Sequence, residues 1–240
     1  MNLDRKHMTA AEAEAAQIDV GLRSYMLGVY NHMTIGLALT GFFAIGTKLL
    51  AMSSPAFAQL IFASPLKWVI MLAPLGMVFF LAARIQSMSA STARMTFFIY
   101  AGVMGLSLAS IFFVFTGESI ARVFFITAAA FSGLSLYGYT TKKSLSGMGT
   151  FLFMGLIGIL IASVVNIFLA STMMQFMISV GGVLVFAGLT AYDTQNIKNM
   201  YMESDGHEVS TKKSIMGALK LYLDFINMFL FLLQLFGNRE

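Results

Sequence analysis

The stretch LYLDFINMFLFLLQLF, Leu221–Phe236, carries one carboxylate, Asp224, inside a mostly apolar run. On insertion scales an aspartate at the centre of a lipid-facing helix costs about 2.5–3.5 kcal/mol. Asp224 is therefore expected to face protein, water or a counter-charge rather than acyl chains. A run this apolar is itself the signature of a membrane helix, and the rest of the chain repeats it. Hydrophobic residues make up 58% of the 240, only 11% are charged, and mean hydropathy is +0.80. Soluble domains carry about a quarter charged residues, so the composition excludes a soluble globular fold.

A span needs about 20 predominantly apolar residues. Segments of that kind lie near 27–47, 68–86, 95–115, 121–140, 148–170, 174–196 and 215–236. The reading is an all-α polytopic membrane protein, with a cytosolic N-terminal segment at 1–24 and a seven-helix transmembrane domain at 25–237. Gly36, Gly41, Pro74, Gly105, Gly155, Gly158, Gly181 and Gly182 fall inside these segments, where small residues let helices approach closely. The first 23 residues are polar and mixed in charge, with no apolar core of a signal peptide. The chain has no cysteine, which removes disulfides, thiolate metal sites and a cysteine nucleophile.

Basic residues fix the expected orientation. With the N-terminus in the cytosol, the inner side holds Arg5, Lys6, Arg23, Arg84, Arg94, Lys142, Lys143, Lys198, Lys212, Lys213 and Lys220. The outer side keeps Lys48, Lys67, Arg122 and Arg239. Eleven against four follows the positive-inside rule, and the net charge of +4 then reports topology rather than nucleic-acid binding. The C-terminal tail GNRE ends outside if the last segment spans, and inside if it is re-entrant. The longest cytosolic loop, KNMYMESDGHEVSTKK, groups His207 with Glu203, Asp205 and Glu208, but in neither EF-hand nor zinc spacing, so it reads as a solvated linker. His32 and Asn166 read as polar packing groups. No phosphate loop, HExxH, GxSxG or Ser/His/Asp constellation is present.

Two carboxylates remain. Asp193, in GLTAYDTQNIKNMY, lies five residues before Lys198; Asp224 lies four residues after Lys220. At about 1.5 Å per residue each sits roughly 6–8 Å from its basic flank. The sixth and seventh segments are consecutive and antiparallel, so both carboxylates share one depth near the cytosolic side and can face each other. Each is followed three residues later by an amide, Asn196 and Asn227, on the same helix face. Arg84, closing the second segment, either supplies the counter-charge a buried carboxylate needs or snorkels to lipid phosphates. Lys220 reads as a snorkelling flank or an i,i+4 partner of Asp224. Neighbouring carboxylates do not ionise independently, so the pair titrates as a unit. Together with Asn196, Asn227, Gln195, backbone carbonyls and water, Asp193 and Asp224 offer the hard oxygens that Ca²⁺ takes six to eight at a time.

AYDTQNIK followed by LYLDFINMFLFLLQLFG closely resembles the last two helices of the Bax inhibitor-1 family (the transmembrane Bax-inhibitor-motif proteins), in its bacterial branch. The runs LRSYMLGVYNHMTIGLALTG and VNIFL are similar to the same family, and the match covers about 22–237. The resemblance implies a seven-helix bundle with the last helix central, in the bacterial inner membrane. It implies a pH-sensitive calcium leak whose sensor is a di-aspartyl pair, matched by Asp193 and Asp224, without a bound cofactor and with Ca²⁺ as the permeant ion. It also implies an arginine latch at the end of the second helix. Arg84 matches that place by position, although this chain reads LAARIQSMS where relatives can carry a basic cluster. Other members are described as modulators of membrane proteases or suppressors of cell death, so an interaction protein restraining an integral partner is the alternative reading. An enzyme is not expected. Paired intramembrane aspartates suggest aspartyl proteolysis, but the GxGD of those proteases is here LYLD, which leaves little room for a substrate backbone.

Overall fold

A computed structural model describes residues 10–239, with side chains from Val20 onward. Most of the expected N-terminal segment 1–24, including Arg5 and Lys6, lies outside the described residues or side chains. Among the described residues seven helices are long and apolar enough to cross a membrane. They are α1 (Ala10–Ser53), α2 (Leu66–Arg84), α3 (Ala90–Leu108), α4 (Gly117–Thr140), α5 (Ser146–Leu169), α6 (Thr172–Asn199) and α7 (His207–Phe236). Each apolar segment of the sequence falls on one of these helices; the third continues past Leu108 through the 3-10 turn Ala109–Phe113, and with that turn counted no segment overruns its helix by more than two residues. Helix is the only open-chain solution here, because lipid offers no partner for a free N–H or C=O. The helix starts are capped from side chains: Ser89 accepts from Thr92 N, Thr116 from Ser119 N, and Ser171 from Met174 N.

The arrangement is a bundle with α7 at its axis. Of α7's apolar window 67% is buried, against 11–33% for the other spans. α7 packs against α6, α1, α4 and α3, whereas α2 leans on α3 and α5 leans on α6. On one flank, Tyr222 of α7 meets Phe97 and Tyr100 of α3 edge-on, at 5.8 and 5.7 Å between centroids. Its hydroxyl shares a 2.6 Å hydrogen bond with Thr40 Oγ1 of α1. Large apolar side chains on the outer helices, such as Phe42, Phe79, Phe125, Phe151 and Phe168, point outward, which suits acyl chains and not water.

Glycine sets two of the close crossings. A Cβ on Gly105 would strike the Thr40 carbonyl of α1, and one on Gly138 would strike the Ala191 carbonyl of α6. Of the glycines marked in the sequence, Gly36, Gly105, Gly155 and Gly182 sit against a neighbour, while Gly41, Gly158 and Gly181 meet nothing within 4 Å. The long loop expected after the sixth segment is shorter than its polarity suggests. α6 runs to Asn199 and α7 begins at His207, leaving residues 200–206 between them. Polar first turns of a helix outside the lipid leave no hydropathy signal. Lys213 pairs with Asp205 and donates to the Met200 carbonyl at 3.0 Å, closing this turn.

The last helix is unbroken. Its 30 residues span about 45 Å, longer than a hydrocarbon core of about 30 Å. At its far end Asn238 N donates to Ser119 Oγ (2.9 Å) and Thr116 N donates to the Asn238 carbonyl (3.0 Å). The C-terminal tail thus meets the α3–α4 connection, at the end of the bundle opposite the α6–α7 turn, the arrangement expected of a last segment that crosses.

Candidate functional site

The crossing of α6 and α7 is pinned at both ends by glycine. Near the α6–α7 turn, Gly217 of α7 faces the fully buried Ile197 of α6, with no room for a Cβ. Toward the other face, Gly182 of α6 lies under the ring of Phe231. Between these points the helices hold their acidic residues on facing sides. Because α5 docks on α6 and makes little contact with α7, a cavity of about 660 Å³ stays open among α5, α6 and α7. Asp193 and Asn196 line it from α6, Lys220, Asp224, Asn227 and Phe231 from α7, and Gly149, Thr150 and Ser163 from α5.

Its two carboxylates are not equivalent. Asp224 is 4% exposed, and its Oδ2 is fully buried without a hydrogen-bond partner. A buried acceptor left unsatisfied costs about 1–3 kcal/mol, so a partner for this oxygen is strongly favoured. Asp193 is half-buried, and Lys220 Nζ lies 3.9 Å from its Oδ1. Lys220 thus bridges to the neighbouring helix, and its i,i+4 neighbour Asp224 is not its ion-pair partner. Asn227 Nδ2 is turned back onto the Leu223 carbonyl at 2.8 Å, leaving its amide oxygen free of that bond. Tyr192 closes the gap between α5 and α6, its ring against Gly149, where a Cβ would displace it. Among the described residues no three His, Cys, Asp or Glu side chains form a metal-holding group. Oxygen donors for a cation here would come from the two carboxylates, Asn196, Asn227, main-chain carbonyls and water.

A family model described as Inhibitor of apoptosis-promoting Bax1 matches residues 22–240. The chain belongs to the Bax inhibitor-1 family. Among its relatives, the inner membrane protein YbhL of Escherichia coli is 49% identical over 223 residues, covering 92% of this chain and 94% of YbhL. A protein of Rickettsia prowazekii is 48% identical over 222 residues, 92% of each chain. One from Caulobacter vibrioides is 44% identical over 241 residues, 96% of this chain and 95% of the relative.

Within this family member the residues expected to share one site are brought together only in part. Asp193, Asp224, Asn196 and Asn227 share the cavity. Gln195 does not line it: its Oε1 accepts from Leu145 N (2.7 Å) and its Nε2 donates to the Lys143 carbonyl (2.8 Å), so it anchors the α4–α5 connection. Arg84 is exposed at the end of α2, is absent from the cavity wall, and forms no ion pair among the described residues. The reason is topological. α2 packs on α3, so its last turn lies away from α6; the turn that follows it, Ile85–Ser87, is tied to α7 by Lys212 Nζ, which donates to the Gln86 carbonyl at 3.3 Å. The cation beside the aspartates is Lys220. In the sequence Lys220 stands as a flank, or four residues before Asp224 as a partner on its own helix; the partner across the crossing, Asp193, depends on helix rotation that the sequence does not carry. Asn166 and His32 act as packing groups. Asn166 Oδ1 accepts from Ser171 N at 3.0 Å, and His32 Nδ1 bonds the Gly28 carbonyl at 2.7 Å.

Proposed function

We propose that this protein is a pH-sensitive calcium leak of the bacterial inner membrane, with its N-terminus in the cytosol and the Asp193–Asp224 pair as the gate. One observation carries the reading: both carboxylates line a single cavity, with Lys220 beside them and one oxygen of Asp224 buried without a partner. A site that leaves a buried acceptor unsatisfied in one arrangement has a reason to prefer another when its proton or its cation changes. Two carboxylates and two amides in one cavity also present the hard oxygens that attract Ca²⁺. The inner membrane is supported by the similarity to the inner membrane protein YbhL of Escherichia coli, and the orientation by the excess of lysine and arginine on one side.

The test is Ca²⁺ flux into proteoliposomes across a pH series. Wild-type protein is expected to show a pH-dependent leak, and Asp224→Asn and Asp193→Asn each to flatten or displace the curve. Curves identical to wild type in both variants would remove the gating role. If instead the double variant still restrains a membrane protease or another integral partner normally, the aspartates are structural and the interaction reading takes over.

A further inference from the structure

We infer that a two-ring aromatic layer, Phe231 of α7 stacked on Phe186 of α6, is the barrier that separates the aspartate cavity from the opposite membrane face. The inference rests on the leak reading for its physiological meaning, but its geometry stands apart from it. Lys220, Asp224, Asn227, Phe231 and Gln234 recur at steps of four, three, four and three along α7, so they form one stripe. The facing stripe of α6 carries Asp193, Phe186, Gly182, Ser179 and Gln175. Both stripes are polar at their two ends and aromatic in the middle.

Beyond the aromatic layer lies a second polar cluster. Ser179 Oγ donates to Gln234 Oε1 at 2.9 Å, and Gln175 Nε2 donates to the same oxygen. Gln234 is exposed there. From Asp224 to Phe231 is about 10 Å along the helix, and from Phe231 to Gln234 about 5 Å more. The Phe186 and Phe231 rings stand 6.0 Å apart with 30° between their planes, and Gly182 gives the Phe231 ring its seat, since any Cβ there would collide with it. Both rings thus occupy the seam along which the polar groups are otherwise continuous. An apolar constriction excludes water, and with it a hydrated cation, until the rings part.

The chain has no cysteine, so single cysteines report access directly. Asn227→Cys and Gln234→Cys are each reacted with a membrane-impermeant maleimide applied to each membrane face in turn. From the Gln234 face, Gln234→Cys is expected to react and Asn227→Cys to stay unreacted while Phe231 is in place. Combined with Phe231→Ala, Asn227→Cys is expected to react from that face, and Ca²⁺ flux through Phe231→Ala protein to rise several-fold. Phe186→Leu removes the other ring and gives the same result in smaller measure; it decides the matter should Phe231→Ala fail to assemble. Reaction of Asn227→Cys from the Gln234 face at one rate with and without the rings, or no reaction in any background, overturns the barrier. Labelling that follows the rings in protein with no Ca²⁺ flux at any pH keeps the barrier and defeats the leak reading instead.

Discussion

Asp224 and Lys220 show how much one helical turn decides. A carboxylate buried with a bare oxygen is costly, and the ammonium that moderates this site reaches Asp193, across the crossing, at 3.9 Å. Lys220 is part exposed and screened by solvent, so its pull is smaller than its distance alone suggests. Replacing it in Lys220→Gln removes the charge that lies 3.9 Å from Asp193, so the midpoint of the pH–flux curve is expected to move away from its wild-type position. Arg84→Gln, in contrast, removes a charge that touches neither aspartate, and the same flux measurement is expected to leave its midpoint at the wild-type value. A displaced midpoint in Arg84→Gln and none in Lys220→Gln would restore the latch at the end of α2.

At the scale of helices, what sequence reveals and what it hides have one physical origin. Lipid demands about 20 apolar residues per crossing, so all seven spans and the antiparallel meeting of α6 with α7 are written in hydropathy and order. The rotation of each helix is not. Gly138, Gly149 and Gly217 make close contacts, yet nothing in their neighbourhoods distinguishes them from Gly41 or Gly181, which touch nothing; the difference is the helix opposite. Arg84 shows the same limit: its depth matches that of the aspartates, but depth follows from the chain while azimuth follows from packing. The α5–α6 turn gives a local case that can be tested. Ala170 there adopts φ 48° and ψ 32°, the left-handed region in which a Cβ is strained, and its side chain is exposed. Ala170→Gly relieves that strain without losing packing, and is expected to raise stability by about 0.5–1 kcal/mol, read as a higher thermal midpoint in detergent at unchanged flux. A lowered midpoint would mean that the turn is held by something other than the Asn166 and Ser171 caps.

For the whole molecule, the telling asymmetry is between α7, enclosed by four helices, and α5, which rests chiefly on α6 and has the least buried span. The aspartate cavity exists because α5 stands off from α7. Any widening of that cavity is therefore cheapest through movement of α5, since it breaks one interface, whereas moving α7 breaks four. Local stability follows the same order, because opening free energy tracks the buried contacts that must be lost. In hydrogen-exchange mass spectrometry of the detergent-solubilised protein, α5 amides around Leu152–Ser163 are expected to exchange well before those of α7 around Leu221–Met228. Both segments are continuous helix, so intrinsic secondary structure does not separate them; only packing does. The Gly149–Tyr192 contact makes the comparison sharper. It fixes the end of α5 near the α4–α5 connection, and Asn166 ties the other end to Ser171 and Gln175, so exchange should be quickest in the middle of α5. Equal protection along α5 and α7 would mean that the cavity is rigid and that the gate must work by side-chain rotation within a fixed frame.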